Sequence, residues 1–327
     1  MPLKFEVRSE EHGRRLDRFL ADRDARFSRT AWQRAVAAGR VRVDGRSVTD
    51  EAYRLRPGQV VEAQPPEEGP PVTLAHEPLP IPVPVRFQDA HLLVVAKPRG
   101  LVVHPAAGHW HQTLVQALWP AIRDDAGDPL RPGVVHRLDK DTTGLMLVAR
   151  SADVRRRLAE DLAGRRIERR YWALVHGVPR WPVGRVEAPI GRHPRWRQRM
   201  AVVPHGRPAA TEYTLLAHWD RYSWLELRLE TGRTHQIRVH LAHLGHPVVG
   251  DGTYGRPDPM TAVGQALHAF CLTFVHPLTG VRVTCLEPWP DDWNPFLGQL
   301  GSPVAGKMPQ VGLEPVSEPG GKAAGLR

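Results

Sequence analysis

The chain has 327 residues, with 45 Lys+Arg against 35 Asp+Glu, a formal net charge of +10, and 41% hydrophobic residues. That is enough apolar material for about two packed domains and excludes wholesale disorder, while two cysteines, Cys271 and Cys285, exclude a disulfide scaffold or a four-cysteine zinc module. No apolar run approaches the ~18 residues of a membrane helix, and the start MPLKFEVRSEEHGRRLD lacks a signal-peptide core, so the expectation is a reduced, cytoplasmic protein with no membrane partner.

Taken in chain order, residues 1–64 read as a small basic unit with 14 basic and 10 acidic residues. A first helix is predicted over Arg14–Ala21, with Leu16, Phe19 and Leu20 on one face. Ser28 is placed to cap a second helix, RTAWQRAVAA, which Gly39 ends. VRVDGRSVT then alternates around Asp44-Gly45, a hairpin signal, and QVVEA is a last strand. Eight prolines between Pro65 and Pro84 forbid a regular helix or central strand, so 65–84 reads as a stiff linker.

Beyond it, RFQDAHLLVVAKP reads as a hairpin, and GVVHRL and TGLMLVA read as strands flanking the polar loop Asp139–Thr142. Ser151 is placed to cap a helix carrying Val154, Leu158 and Leu162 and ending at Gly164. IERRYWALVHG is a strand, GRHPRWRQRM an arginine-rich loop, TEYTLLAHWDRYSWLELRLETG a strand pair, and THQIRVHLAHLG helical. Strands and helices do not alternate strictly, which favours an α+β fold over a doubly wound one. The expected second domain is 85–298. Residues 299–327 are expected to be a disordered tail, because six glycines and four prolines follow from Gly301 onward.

The charge is concentrated. Only five basic residues are lysine, a skew that genome composition or heat adaptation also produces, but residues 131–200 hold 17 basic and 7 acidic residues, a surplus equal to that of the whole chain. A local surplus of this kind points to a polyanion. The chain has no phosphate loop ending in Gly-Lys-Ser/Thr, no Gly-x-Ser-x-Gly elbow and no His-Glu-x-x-His. His235, His240, His243 and His246 are close together, yet no cysteine or carboxylate completes a ligand set among them, so no metal is expected. Asp139, between two apolar runs, sits at the rim of a packed sheet with Arg137 two residues before it; an ordinary turn explains the same residues. Arg233, His235, Gln236 and Arg238 form a dense donor array after a glycine turn, interleaved with Ile237, Val239 and Leu241.

HRLDKDTTGLMLVAR, RRYWALVHG and ETGRTHQIRVHLAHLGHPVVGD closely resemble the RluA family of pseudouridine synthases, and LLVVAKPRGLVVHPAAG and QALHAFCLTFVHPLTG resemble its opening and closing motifs. The resemblance covers about residues 80–290, and residues 1–64 resemble an S4-type RNA-binding domain. KPRGLVVHP, DKDTTGLM and RHPRWRQRMAV are nearest the RluD type, which modifies large-subunit ribosomal RNA; Ala96, where Asn is common, is a departure.

The implied fold is α+β, a mixed and mainly antiparallel sheet with flanking helices behind a small α+β RNA-binding domain. The implied reaction detaches uracil at N1, turns it and rejoins it through C5. Such an isomerisation needs no cofactor or metal. Carried over residue by residue, Asp139 is the essential carboxylate, with attack on ribose, attack on the base and removal of a ribose proton all open as its role. Arg238 is its cation, and Tyr171 stacks on the base and acts in the transfer of the C5 proton. Arg137 fills the stack the uridine vacates. His136, Arg233, His235, Gln236, Arg195 and Arg197 are expected at the RNA, with Arg29 and Arg34 on the front domain. The expected partner is large-subunit rRNA or a pre-ribosomal particle, met by a monomer. Action on tRNA, a non-catalytic assembly factor using the same basic surface, and a metal-dependent nuclease built on the histidines are the competing readings.

Overall fold

A computed structural model of the chain describes residues 2–24, 27, 29–65, 80–105, 111–122, 131–196, 198–256, 258 and 264–309. The chain divides into two compact units, residues 1–73 and 74–327.

The first unit contains β1 (Leu3–Glu6), α1 (Leu16–Arg23), α2 (Arg29–Ala37), β2 (Val41–Val43), β3 (Arg46–Ser47) and β4 (Val60–Ala63), with the sheet ordered β1-β4-β2-β3. The β2–β3 turn forms because Asp44 and Gly45 both adopt positive φ (49° and 77°), the two-residue geometry that matches strand twist. Leu16, Phe19, Leu20, Trp32 and Val36 from the helices pack with Val41, Val61 and Ala63 from the strands. α1 lies two residues later than expected, and β1 was not anticipated; the Ser28 cap falls outside the described residues. Asp17 is fully buried at the first turn of α1. It accepts hydrogen bonds from Arg15, Gln33 (2.6 Å) and Arg29 (Nε 3.0 Å, Nη2 2.9 Å), and these hold its carboxyl well below the usual range against the opposing effect of burial. Arg29, expected at RNA, therefore commits its guanidinium to an internal carboxylate, whereas Arg34 is exposed.

The second unit runs β5 (Val85–Gln88), β6 (Leu92–Lys97), α3 (Leu114–Leu118), β7 (Thr143–Ala149), α4 (Ala152–Ala163), β8 (Glu168–His176), β9 (Val183–Glu187), β10 (Ile190–Arg192), β11 (Met200–Val202), β12 (Ala210–His218), β13 (Tyr222–Leu229), α5 (Gln236–His243), β14 (Leu267–Val275), β15 (Arg282–Leu286), α6 (Asn294–Leu300) and β16 (Ala305–Gly306). One large sheet has the order β16-β12-β13-β8-β14-β7-β6-β5, with β9 also on β12 and β15 also on β14. Every pairing is antiparallel except β7–β14, so the mixed α+β class holds.

Period-two alternation sorts its side chains. Leu93 and Val95 of β6, Met146 and Val148 of β7 and Leu225 and Leu227 of β13 face α3 and α5. Leu92, Val94, Leu145 and Leu147 face Val154 and Leu158 of α4. On that second side Trp172 stacks on Phe270 (4.0 Å between centroids, 5°) beside Trp224 and Phe296.

Two expectations fail here. GVVHRL is not a strand: it touches β7 through a single bridge, Val134 to Val148, and the N–H of Leu147 bonds instead to the His136 side chain (3.1 Å). The expected disordered tail fails in its first part only: residues 301–309 are mostly exposed, but they are tied to the large sheet. Ala305 and Gly306 pair with His218 and Ala217 of β12, and the Trp219 indole donates to the Gly301 carbonyl (3.0 Å). Residues 310–327 lie outside the described residues.

Gly144 decides the β7–β14 pairing. Its φ is +106°, and a Cβ there would lie 2.2 Å from the Ala269 carbonyl oxygen and 2.7 Å from its nitrogen. Gly144→Ala is expected to cost about 3 kcal/mol or more, read as a lower urea midpoint.

Candidate active site

Asp139 lies on the turn that leads into β7. Leu138 anchors the turn in the core at 6% exposure, and the Asp139 carbonyl accepts from the Thr142 N–H (3.2 Å). The next two carbonyls are clamped from the KPRG segment after β6. Lys97 Nζ donates to Lys140 O (2.8 Å) as well as to Pro98 O and Leu101 O (both 2.9 Å). Arg99 Nη1 donates to Asp141 O and Gln265 O (both 2.7 Å), its other arm pairing with Asp292. Gln265 in turn donates to the Thr142 hydroxyl (2.6 Å). Burial pushes the Lys97 ammonium down to about 7, with Asp141 and Asp139 opposing that shift. A cation sheltered at this cost, and bonded only to backbone carbonyls, is a brace for the loop.

Opposite the turn, α5 opens with His235 in the left-handed region (φ 56°). This bend puts Arg238, one turn along, beneath Asp139. Arg238 Nη1 donates to Asp139 Oδ2 (2.9 Å), while Nε and Nη2 form a bidentate pair with Asp251 (2.6 and 2.8 Å). Asp251 is fully buried and also accepts from the N–H groups of Thr253 (2.9 Å) and Tyr254 (3.1 Å). Burial opposes both charges. The Asp251 pairing overrides it and raises the Arg238 pKa, and the Arg238 pairing lowers the Asp251 carboxyl. Because the planar fork spends its two-point grip on Asp251, the triad keeps a net negative charge at Asp139, on the pocket side.

His235 completes the wall, with Nε2 3.9 Å from Asp139 Oδ1 and Nδ1 2.7 Å from the Tyr254 hydroxyl. That hydroxyl also accepts from Met200 N–H (2.9 Å), so Tyr254 ties the His235 ring to the β11 backbone. Burial lowers the His235 pKa and the nearby Asp139 works against that.

Together Arg137, Leu138, Asp139, Thr142, Tyr171, Leu229, Arg233, His235, Gln236, Ile237, Arg238 and Leu267 line a cleft of about 350 Å³, a volume that includes its solvent-open mouth. Tyr171 of β8 is 4% exposed, and burial pushes its phenol up, so it enters as a neutral ring. Arg137 is exposed at the mouth, and Arg233 donates to the Pro208 carbonyl (3.0 Å).

Two residues expected at RNA are placed otherwise. His136 is buried, accepts from a β7 N–H and is pushed down to about 3, chiefly by burial and then by Arg169, so it is a neutral core histidine. Gln236 spends its amide inside, donating to Ala210 O and Thr211 Oγ1 (both 2.9 Å) and accepting from Thr231 (2.7 Å) and the Arg233 N–H (3.0 Å). Arg195 is exposed on the β10–β11 loop, and Arg197 lies outside the described residues. Of the clustered histidines, His240 bonds through both ring nitrogens (Thr211 2.9 Å, Ala188 O 3.0 Å) and His246 meets His176 O (3.0 Å). Lys97, Arg99, Asp251, Tyr254 and Gln265 were not singled out from sequence. A lone aspartate within the glycine turn GDGTYG was the one available signal.

The buried histidines give the molecule an acid limit. His136 and His268 are pushed by burial to about 3 and about 4. Above pH ~6.5 both are neutral folded or unfolded; below it the unfolded chain takes up protons the folded chain refuses. Stability is expected to fall between pH 6.5 and 4 by up to about 1.4 kcal/mol per pH unit per histidine. Urea titrations at pH 7 and 5 check this, with a shallower pH slope in His268→Gln.

Comparison with known proteins gives the class to which this fold and cleft belong. Residues 91–243 match the RNA pseudouridylate synthase family model, and residues 14–61 match the S4 domain. An uncharacterised RNA pseudouridine synthase of Synechocystis is 41% identical over 88% of this chain and 89% of its own. Ribosomal large subunit pseudouridine synthase D of Nitrosomonas europaea is 43% identical over 87% of this chain and 84% of its own. The solved structure of human RNA pseudouridylate synthase domain containing 1 superposes with a TM-score of 0.54 at 27% identity, over 70% of this chain and 91% of that one. The chain belongs to the RNA pseudouridine synthase family, with an S4 domain in front, and is an isomerase. Among the described residues no helix is long and apolar enough to cross a membrane.

Proposed function

We propose that the chain converts particular uridines of large-subunit ribosomal RNA to pseudouridine, with Asp139 as the essential carboxylate. The observation that carries this reading is the Asp139–Arg238–Asp251 arrangement, which holds one ionised carboxylate at the wall of a cleft while a second, buried carboxylate holds the cation. Similarity to several large-subunit synthases, the Nitrosomonas enzyme among them, supports the choice of RNA.

The uridine leaves its stack, at a cost of a few kcal/mol that is lowest in loops. Arg137, exposed at the mouth, takes the vacated place, which its flat guanidinium suits. In the cleft the bond from N1 to ribose breaks, the base turns, C5 joins the ribose and loses its proton, and N1 takes up a proton, so the product is an isomer of the substrate. Asp139 acts next to the breaking bond. Tyr171, a buried phenol in the cleft wall, stacks on the base and acts in the transfer of the C5 proton. Arg233 and His235 face the substrate, and Arg195, Arg197 and Arg34 hold phosphates, adding affinity with little base choice. The same reading makes the chain a cytoplasmic monomer whose partner is rRNA or a pre-ribosomal particle. The test is tritium release from transcripts labelled at uridine C5: release from large-subunit rRNA and none from tRNA is expected, and the reverse contradicts the reading.

A further inference from the structure

The loop joining β10 to β11 carries an aromatic side chain that the fold does not use. Trp196 is 60% exposed, as is Trp181 (62%) before β9, whereas Trp32, Trp172, Trp224 and Trp293 are each at 3% or less; of the two exposed rings, Trp196 is the one whose loop leads to the cleft. The loop around it is tightly organised. His193 Nδ1 accepts from the N–H groups of Arg195 and Trp196 (both 3.2 Å), His193 N–H donates to Arg199 O (2.9 Å), and Arg199 N–H donates to Trp196 O (2.8 Å). The indole leans on the His193 ring (4.6 Å, 36°) with the Arg199 guanidinium carbon 5.7 Å from its centroid. Arg195 beside it is exposed and forms no ion pair among the described residues. An apolar ring left in water at this fraction, on a loop whose charges are all basic, suits a π-face ligand carrying negative charge.

The loop is also close to the chemistry. Met200, four residues on, bonds to Tyr254, which bonds to His235, whose other ring nitrogen is 3.9 Å from Asp139. Four residues of chain reach at most ~14 Å, about the span of a few stacked nucleotides.

We infer that Trp196 is a stacking platform for an unpaired base flanking the target uridine, with Arg195 and Arg199 at the adjoining phosphates. This rests on the reading of the chain as a synthase acting on rRNA. Aromatic stacking is indifferent to which base is presented, so Trp196 contributes affinity and requires the flanking nucleotide to be unpaired.

Trp196→Ala is expected to raise the half-saturating concentration of C5-tritiated large-subunit rRNA by roughly 10- to 100-fold, with the maximal rate and thermal midpoint unchanged. Trp196→Tyr restores half-saturation to near wild type. Half-saturation within about twofold of wild type in Trp196→Ala overturns the inference, as does Trp196→Tyr behaving like Trp196→Ala. Binding of a short oligoadenylate, read by anisotropy, tests the platform without turnover: Trp196→Ala should weaken it about tenfold, and equal affinity overturns the platform even if wild-type turnover is normal. Wild-type protein that binds the oligonucleotide through Trp196 but releases no tritium overturns the synthase reading alone.

Discussion

Asp139→Asn is expected to bind RNA with near wild-type affinity and to release no measurable tritium, a loss of at least about 10⁴-fold, the order seen when an essential catalytic group is removed. The amide has nearly the shape of the carboxylate and can still accept from Arg238 Nη1, so the turn clamped by Lys97 and Arg99 stays in place. What changes is charge. The wild-type triad carries two carboxylates and one guanidinium, and among the described residues that line the cleft the substitution removes the only carboxylate. The phosphate contacts proposed for the exposed arginines do not involve Asp139, so binding and turnover are expected to separate. Substantial turnover in Asp139→Asn would remove the catalytic assignment while leaving the family unaffected.

The second large effect is expected at Arg238. Arg238→Met leaves Asp251, fully buried and normally gripped at two points, with only two backbone donors. An uncompensated buried charge of this kind costs about 3–5 kcal/mol, equivalent to a drop of roughly 10 °C in thermal midpoint for a unit of this size. Activity is lost as well, because Asp139 loses its partner. Arg238→Lys separates the two consequences. A single ammonium keeps a charge beside Asp251 but cannot reach both carboxylates with a planar fork, so the protein folds with a smaller stability loss while kcat falls by about 10²-fold or more. Equal stability of Arg238→Met and wild type would contradict the account of the triad.

The parts of this arrangement differed in how visible they were in the sequence. β7 could be read residue for residue, because TGLMLVA is an unbroken apolar run with a polar loop before it, the pattern of a strand buried on both faces. Asp139 and Arg238 were recognisable through the motifs around them. Asp251, thirteen residues beyond Arg238, was not, because nothing local marks an aspartate in a glycine turn as the partner of a helix arginine. Lys97 and Arg99 escaped for the same reason: the bonds that clamp the Asp139 turn run to carbonyls 43 and 42 residues away, and a backbone acceptor leaves no trace in residue type.

His136 and GVVHRL were misread together. The hydropathy of the segment is that of a strand, but a histidine side chain satisfies the Leu147 N–H that a neighbouring strand would have taken. Gln236 looked like a donor for RNA because it is polar among polar neighbours; four internal bonds absorb it. After Gly301 composition suggested disorder, yet a two-residue strand on the edge of β12 needs only backbone groups, which composition does not report.

The central claim, that this chain makes pseudouridine in large-subunit rRNA through Asp139, is tested most directly in cells. Pseudouridines are mapped in rRNA from a strain lacking the gene, then from the same strain carrying either the wild-type chain or Asp139→Asn at equal protein levels. The account predicts that one or more large-subunit pseudouridines vanish on deletion, return with the wild type and stay absent with Asp139→Asn. Their return with Asp139→Asn, or an unchanged large-subunit map on deletion, would contradict it.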